Sequence, residues 1–316
     1  VKTILLLLAV HFSPFTVPAQ TSEPDDTVRV DTDLVNLNVG IVSRKAAPAP
    51  IRLEQKDFRI FENEVPQEIS FFASGEAPFD LVLLLDLSGS TSDKIGLIRN
   101  SARRFVKVAR PDDRIAILTF ATEIQLISKL TSDHAALLKS VDDIEQPSGG
   151  TNFWDALRFV LEHIVSQSRA ERRRSAVVVM TDGVDNALPG VYGDGSATTF
   201  EELWKIVQGS DTVVLPIYLD TEKETDRHGT LKEAYAMARR QLAMLAAESG
   251  NEIYRARKFK DLNGIYQQVI RDLGTVYSIG YRPTNRARDG SWRAVKVQLA
   301  EHPELAVRAK HGYYAK

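Results

Sequence analysis

Leu81-Val82-Leu83-Leu84-Leu85-Asp86-Leu87-Ser88-Gly89-Ser90 is the stretch that decides the fold. Its first half is a continuous aliphatic run with no polar alternation, the pattern of a strand buried on both faces of a parallel sheet. The oxygens that follow therefore emerge at the strand's carboxyl end, where ligands bind in open α/β sheets. The Asp86 carboxylate and the Ser88 and Ser90 hydroxyls, spaced two apart around a glycine, can turn toward one point. They offer only oxygen, which suits a hard cation such as Mg²⁺, Mn²⁺ or Ca²⁺. The bland reading of the same residues is a strand-to-helix turn in which Ser90 or Ser92 caps the next helix.

Two later segments supply further oxygen. Gly149-Gly150-Thr151-Asn152 is a Gly-Gly turn delivering a third hydroxyl, and Val177-Val178-Val179-Met180-Thr181-Asp182-Gly183 is another buried strand ending in a second carboxylate. Taken singly, Thr151 reads as a helix cap and Asp182 as a turn residue before Gly183. Three segments each placed at a strand tip or turn coincide by accident far less readily than one. Here the chain resembles the von Willebrand factor type A domain family, whose metal-ion-dependent adhesion site is D-x-S-x-S, then T, then D. The matching positions, in order, are Asp86, Ser88, Ser90, Thr151 and Asp182.

Composition bounds the rest. The 316 residues allow one large or two modest domains with ample apolar content for a core. With 40 Lys and Arg against 42 Asp and Glu, interspersed, the chain carries no electrostatic footprint for nucleic acid or an anionic membrane surface. The one basic cluster, Arg169, Arg172, Arg173 and Arg174, falls between a helical pattern and a strand and reads as a solvated loop. Cysteine is absent, so neither a disulfide nor a lipoprotein anchor is available.

The amino end reads as an export leader. Lys2 precedes the apolar stretch Ile4 to Val10, and Val17-Pro18-Ala19 offers small residues for cleavage before Gln20. Ser13 and Pro14 break the run well short of the ~20 apolar residues of a spanning helix. The initial Val fits an alternative bacterial start codon. The expectation is a signal peptide over 1–19, a disordered linker over 20–27, and a bacterial protein exported to the periplasm or the exterior, with no stable membrane span after cleavage.

Beyond this the chain divides into three parts. Over 28–76, Val35, Leu37, Val39 and Ile41 alternate with polar residues as a half-buried antiparallel strand, Ala46 to Pro50 is a loop, and Phe58-Arg59-Ile60 and Ile69-Ser70-Phe71 flank Asn63-Glu64 in the shape of a hairpin. That turn lacks the Gly that favours a two-residue loop, which leaves its geometry open. Over 78–273, strands alternate with amphipathic helices, the signature of a doubly wound, Rossmann-like, mostly parallel sheet. Helices are expected at Ile95 to Ala109, Ala135 to Ile144, Phe153 to Ile164, from the capping box Thr199-Phe200-Glu201-Glu202, over Leu231 to Glu248, and over Asp261 to Leu273. Strands are expected at Arg114 to Phe120, Ile124 to Leu130, Thr212 to Leu219 and Glu252 to Tyr254. Over 275–316, Tyr277, Ile279 and Tyr281 alternate, as do Val295, Val297 and Leu299, and Val307 to Tyr314 reads as one more strand. Neither flank has enough strands to stand alone, so the two are expected to pair into a small β-sandwich beside the α/β part.

Asp57-Phe58-Arg59-Ile60-Phe61-Glu62, Pro66-Gln67-Glu68-Ile69, the Asp86 motif, Tyr281-Arg282-Pro283-Thr284-Asn285 and Val307-Arg308-Ala309-Lys310-His311-Gly312-Tyr313-Tyr314 together resemble the acidobacterial von Willebrand factor A-related family. The resemblance spans nearly the whole mature chain. It implies the type A fold and a Mg²⁺ (or Mn²⁺ or Ca²⁺) ion held by hydroxyls and by carboxylates acting partly through water, with one open coordination position for an Asp or Glu of a protein partner. It also implies motion of the threonine loop coupled to the closing helix. Asp155, Asp185 and Asn186 are candidates for groups behind the ion or at its rim, and Gly183 to Thr198 for either a solvated loop or a partner-selecting edge.

The rival classes are a metal-dependent phosphohydrolase and a metal-independent structural interaction module. Haloacid-dehalogenase-like enzymes also place an Asp at the tip of their first strand, but they want a second Asp two residues on, where Ser88 stands. Gly-x-Ser-x-Gly, Gly-Lys-Ser/Thr and His-Glu-x-x-His are absent, and His134, His163, His228, His302 and His311 are scattered, unlike a zinc site. The expectation is a binding module and not an enzyme.

Overall fold

The aliphatic run becomes one of the two central strands of a six-stranded sheet. In the computed structural model, residues 34–43, 52–145, 149–171, 173–222 and 229–315 are described, within one compact unit, Asp33–Lys316. The expected leader and linker, the Ala46 to Pro50 loop, Arg172 and His228 lie outside the described residues.

The flanking strands are β1 (Val35–Ser43), β2 (Phe58–Glu62), β3 (Val65–Gln67) and β4 (Ile69–Ala73). The α/β part then runs through β5 (Phe79–Asp86), a 3₁₀ turn (Gly89–Lys94), α1 (Ile95–Val108), β6 (Arg114–Phe120), β7 (Ile124–Thr131) and α2 (His134–Asp142). Next come α3 (Phe153–Phe159), continued by a π-helical turn (Val160–Ile164) into α4 (Val165–Ala170), then β8 (Arg174–Thr181), α5 (Phe200–Gln208) and β9 (Val213–Leu219). It ends with α6 (Lys232–Glu248), β10 (Tyr254–Ala256) and α7 (Leu262–Leu273). The tail forms β11 (Val276–Tyr281), β12 (Trp292–Leu299), β13 (Leu305–Arg308) and β14 (Gly312–Tyr314).

The central sheet has the order β10-β9-β8-β5-β6-β7, parallel except for the antiparallel edge pair β6 and β7. Its two faces explain the unbroken apolar runs. Leu81, Leu83 and Leu85 pack with α1, α2 and α7 on one side, and Val82 and Leu84 with α3, α5 and α6 on the other. A strand covered on both faces needs no polar alternation. Among the described residues, no helix is long and apolar enough to cross a membrane.

The flanks pair as two four-stranded sheets, β13-β1-β11-β4 and β14-β12-β2-β3, each built from strands of both flanks. Their shared core holds Leu37, Val39, Phe58, Ile60, Tyr277, Ile279, Tyr281 and Val295. Phe58 meets the rings of Phe72 and Tyr277 at 5.6 and 5.2 Å, and the buried Glu62 carboxylate accepts from the Tyr281 and Tyr313 hydroxyls at 2.8 and 2.9 Å.

Three expectations are corrected. The first hairpin joins β2 to β3, with Glu62 opposite Val65, while β4 crosses to the other sheet and pairs with β11. Its turn is of type I′, with Asn63 and Glu64 both at positive φ (47° and 63°). Asn63 holds this strained geometry by exchanging bonds with Ala294, whose N–H reaches its Oδ1 at 2.9 Å and whose carbonyl accepts its N–H at 2.8 Å. The last predicted strand is two strands, one in each sheet: β13 pairs with β1 and β14 with β12, where a Cβ on Gly312 would sit 2.3 Å from the Arg293 carbonyl. The basic cluster is not all solvated: Arg173 bonds Asp80, and Arg174 stacks 3.9 Å over the Phe79 ring and donates to the carbonyls of Ser74, Ala77 and Val276.

Candidate functional site

The chain leaves β5 at Asp86, whose side chain is fully buried. Asp86 Oδ1 accepts the Ser88 N–H at 2.9 Å and Oδ2 accepts the Thr181 hydroxyl at 2.6 Å. The Thr91 hydroxyl closes the turn by donating to the carbonyls of Asp86 and Ser88, both at 3.0 Å. Ser88 is buried just before the 3₁₀ turn. Ser90 lies within that turn, and its side chain is outside the described atoms.

One strand over, β8 ends in Thr181 and continues into Asp182, also buried. Asp182 Oδ1 accepts the Val184 N–H at 3.1 Å, and Oδ2 accepts the Thr221 hydroxyl at 2.6 Å, with the Tyr235 hydroxyl 3.2 Å behind Thr221. Parallel pairing of β5 with β8 places the two strand tips side by side. Burial, and next the Asp182 charge, push the Asp86 carboxyl well above the usual carboxylate range, against the hydrogen bonds from Ser88 and Thr181.

The third segment is tied to the other two through the end of β6. Leu87 N–H donates to the Phe120 carbonyl at 2.8 Å and Asn152 N–H to the Ala121 carbonyl at 2.9 Å, so the Asp86 turn and the Thr151 turn hang from successive residues. A Cβ on Gly89 would lie 3.8 Å from the Gly149 carbonyl. Thr151 is nearly buried. Its N–H donates to Asn186 Oδ1 at 3.0 Å and its carbonyl accepts the Asn186 N–H at 2.9 Å.

The remaining candidates hold the loop that follows Asp182. Asp185 Oδ1 accepts from the N–H groups of Ala187 (2.9 Å) and Ser196 (3.0 Å), and Oδ2 from the Trp154 N–H (3.0 Å) and the Ser196 hydroxyl (2.6 Å). Asp155 accepts the N–H groups of Ala197 and Thr198, both at 2.8 Å. These two carboxylates pin the loop to the start of α3, and Asn186 alone of the three touches a candidate ligand, Thr151.

Thr181 and Thr221 escaped the sequence reading. Each donates to one of the two carboxylates, and only the strand order reveals which strand tips are neighbours. Thr181, directly before Asp182, carried a signal of its own; Thr221, two residues past β9, carried none.

The donor set fits a hard divalent cation. Two buried carboxylates raise each other's energy when ionised and hydroxyls lie alongside, with no His or Cys grouped beside them among the described residues. Among the described residues, no three His, Cys, Asp or Glu side chains gather to hold a metal. Of the five candidates, the structure brings the buried Asp86, Ser88 and Asp182 to adjacent strand tips and ties the Thr151 turn beside them.

Comparison with known proteins agrees with this architecture. The sequence model of the von Willebrand factor type A domain matches residues 80–268. Among solved structures, proximal thread matrix protein 1 from the mussel byssus, with a zinc-occupied MIDAS motif, is similar at 18% identity and a TM-score of 0.50 over 67% of this chain. The chain covers 49% of that protein's own length. A von Willebrand factor type A protein from Catenulispora acidiphila aligns with 91% of this chain and 64% of its own, at 12% identity and a TM-score of 0.48. The vWF domain of the type V pilus tip protein Mfa5 from Porphyromonas gingivalis aligns with 62% of this chain and 94% of its own, at 15% identity and a TM-score of 0.46.

Proposed function

The chain belongs to the von Willebrand factor type A domain family, and from that premise we propose that it is an exported, divalent-metal-dependent protein-binding module. The observation that carries this reading is the pair of buried carboxylates, Asp86 and Asp182, at adjacent strand tips. A divalent cation supplies the opposite charge that their mutual repulsion calls for.

Asp86, Asp182, Ser88, Ser90 and Thr151 would hold Mg²⁺, or Mn²⁺ or Ca²⁺ in its place. The ion, when bound, supplies a Lewis-acidic position for one outside oxygen ligand, and an Asp or Glu of a partner protein is the chemistry that fits. Thr181 and Thr221 keep the two carboxylates turned toward the site, and Asn186 keeps the Thr151 backbone in place. Ser88 supports a binding role over phosphoryl hydrolysis, since it stands where that chemistry requires a second acid. Export rests on the leader-like residues 1–19, with the periplasm or the cell exterior as the place of action.

The test is calorimetric titration of the purified chain with MgCl₂, together with a pull-down from envelope extract in Mg²⁺ or EDTA. Wild type takes up the ion and retains its partner only in Mg²⁺, and Asp86→Asn and Asp182→Ala do neither. A chain that binds no divalent ion, or a partner retained equally in EDTA, refutes the proposal. Recovery of a cleaved amino end starting at Gln20 from the envelope fraction tests export.

A further inference from the structure

Tyr192 is 94% exposed, far beyond any other large apolar or aromatic side chain among the described residues. It sits on the loop after Asp182, and that loop is fixed. Val184 and Leu188 are buried in the helical core on one side of the sheet, and Asp185 holds the loop with three hydrogen bonds and ties it to α3 with a fourth, from Trp154.

The link between Tyr192 and the ion site is a single side chain. Asn186 Nδ2 donates to the Tyr192 carbonyl at 2.9 Å, while Asn186 Oδ1 accepts the Thr151 N–H at 3.0 Å. Two glycines box this amide in. A Cβ on Gly150, next to Thr151, would lie 2.3 Å from Asn186 Nδ2, and one on Gly193, next to Tyr192, would lie 2.7 Å from it. Gly193 also takes a φ of 104°, which other residues rarely adopt. The backbone of an exposed tyrosine is thus tied through one side-chain amide to the backbone of a candidate ion ligand, Thr151.

We propose that Tyr192 is the partner-contacting anchor beside the ion, and that the partner presents its acidic residue next to an apolar one, which packs on the Tyr192 ring. The inference rests on the metal-bridge reading above and adds what that reading leaves open, the chemistry flanking the carboxylate. Tyrosine gives a large amphipathic contact with only two side-chain torsions to fix, and buried aromatic rings dominate the energetics of protein interfaces. A loop already ordered by Asp185 and Asn186 loses little further entropy when the ring is covered.

The experiment uses the full chain and a set of fluorescent, amino-acetylated heptapeptides with a central Asp whose two neighbours are Gly, Ser, Lys, Leu, Phe or Pro. Binding is read by polarisation in Mg²⁺ and in EDTA. Leu-, Phe- or Pro-flanked peptides are expected to bind on the order of tenfold tighter than Gly-flanked ones in Mg²⁺. Tyr192→Ala removes that preference while leaving Gly-flanked binding unchanged, and Tyr192→Phe keeps it. Because the side chain projects into solvent, neither substitution disturbs the fold, and circular dichroism verifies this. Mg²⁺-dependent binding with no preference for apolar neighbours, or a preference that survives in Tyr192→Ala, overturns the inference and leaves the metal bridge standing. No Mg²⁺-dependent binding to any peptide overturns both.

Discussion

Replacing Asp80 with asparagine should cost the fold about 3 kcal/mol near neutral pH, and the cost should fade in acid. Asp80 is the second residue of β5, near the opposite end of the strand from Asp86, and is 1% exposed. Its carboxylate accepts from Arg114 Nε and Nη2 at 2.8 and 2.5 Å and from Arg173 Nε at 2.7 Å. Burial alone would raise its pKa, but hydrogen bonds from Arg114, Ser168 and Arg173 and the Arg173 charge outweigh it and hold the carboxyl below the usual range. Removing one partner of a buried ion pair costs about 3–5 kcal/mol. The low end applies here because both arginine side chains are 26% exposed and Arg114 keeps Glu171 at 2.8 Å.

The sign of the pH effect follows from the depressed pKa. The folded chain holds Asp80 ionised where the unfolded chain would protonate it, so the stabilisation is fully present above about pH 4 and is lost as pH falls through the lower, folded value. Urea unfolding of wild type and Asp80→Asn at steps from about pH 7 to about pH 3 reads this directly, the gap closing toward the acid end. Thermal midpoints near neutrality should differ by roughly 5–10 °C. A gap that stays constant across the acid range, or is below about 1 kcal/mol at neutral pH, refutes the account of Asp80 as an ionised hub.

Three further outcomes are expected. In EDTA at neutral pH, Asp86→Asn should melt at a higher temperature than wild type, since it removes one of two repelling buried charges. Mg²⁺ should then stabilise wild type and leave the variant unmoved, as differential scanning fluorimetry would report. Thr221→Val frees an oxygen of Asp182 while preserving shape, and should weaken Mg²⁺ binding by about 10–100-fold in calorimetry with little change in far-UV circular dichroism. Glu64→Gly should stabilise the chain by about 1 kcal/mol in urea unfolding, because the exposed Glu64 holds a positive φ that glycine adopts without penalty.

The architecture was legible wherever one residue pattern answers to one environment. The runs at Leu81 and Val177 announce strands covered on both faces, and the alternation at Val35 and at Tyr277 announces half-buried ones. Thr199 through Glu202 form the capping box at the start of α5 that the sequence displayed. What stayed hidden depends on neighbours that only folding supplies. β10 begins at Tyr254, two residues later than its pattern suggested, since three residues pairing with β9 define it and no apolar run does. The tail beyond Leu305 kept period two across a change of sheet, so its two strands looked like one. Arg173 and Arg174 read as loop charges until Asp80 and the Phe79 ring came beside them. At the site, Asp86, Ser88, Thr151 and Asp182 stood out by type and spacing, whereas the hydroxyls of Thr181 and Thr221 gain meaning only from the strand order.

The interleaving of the two flanks in the small sheets dictates an order of assembly. β1 finds its ladder only against β11 and β13, with Val35 facing Tyr281 and Gly40 facing Arg308. A ribosome emits Val35 long before either partner, so Leu37 and Val39 must wait uncovered while the intervening α/β part, with its more local contacts, folds behind them. β1 is therefore the segment that a nascent-chain chaperone has most reason to shield, and the emergence of β11 and β13 is the event that completes its sheet.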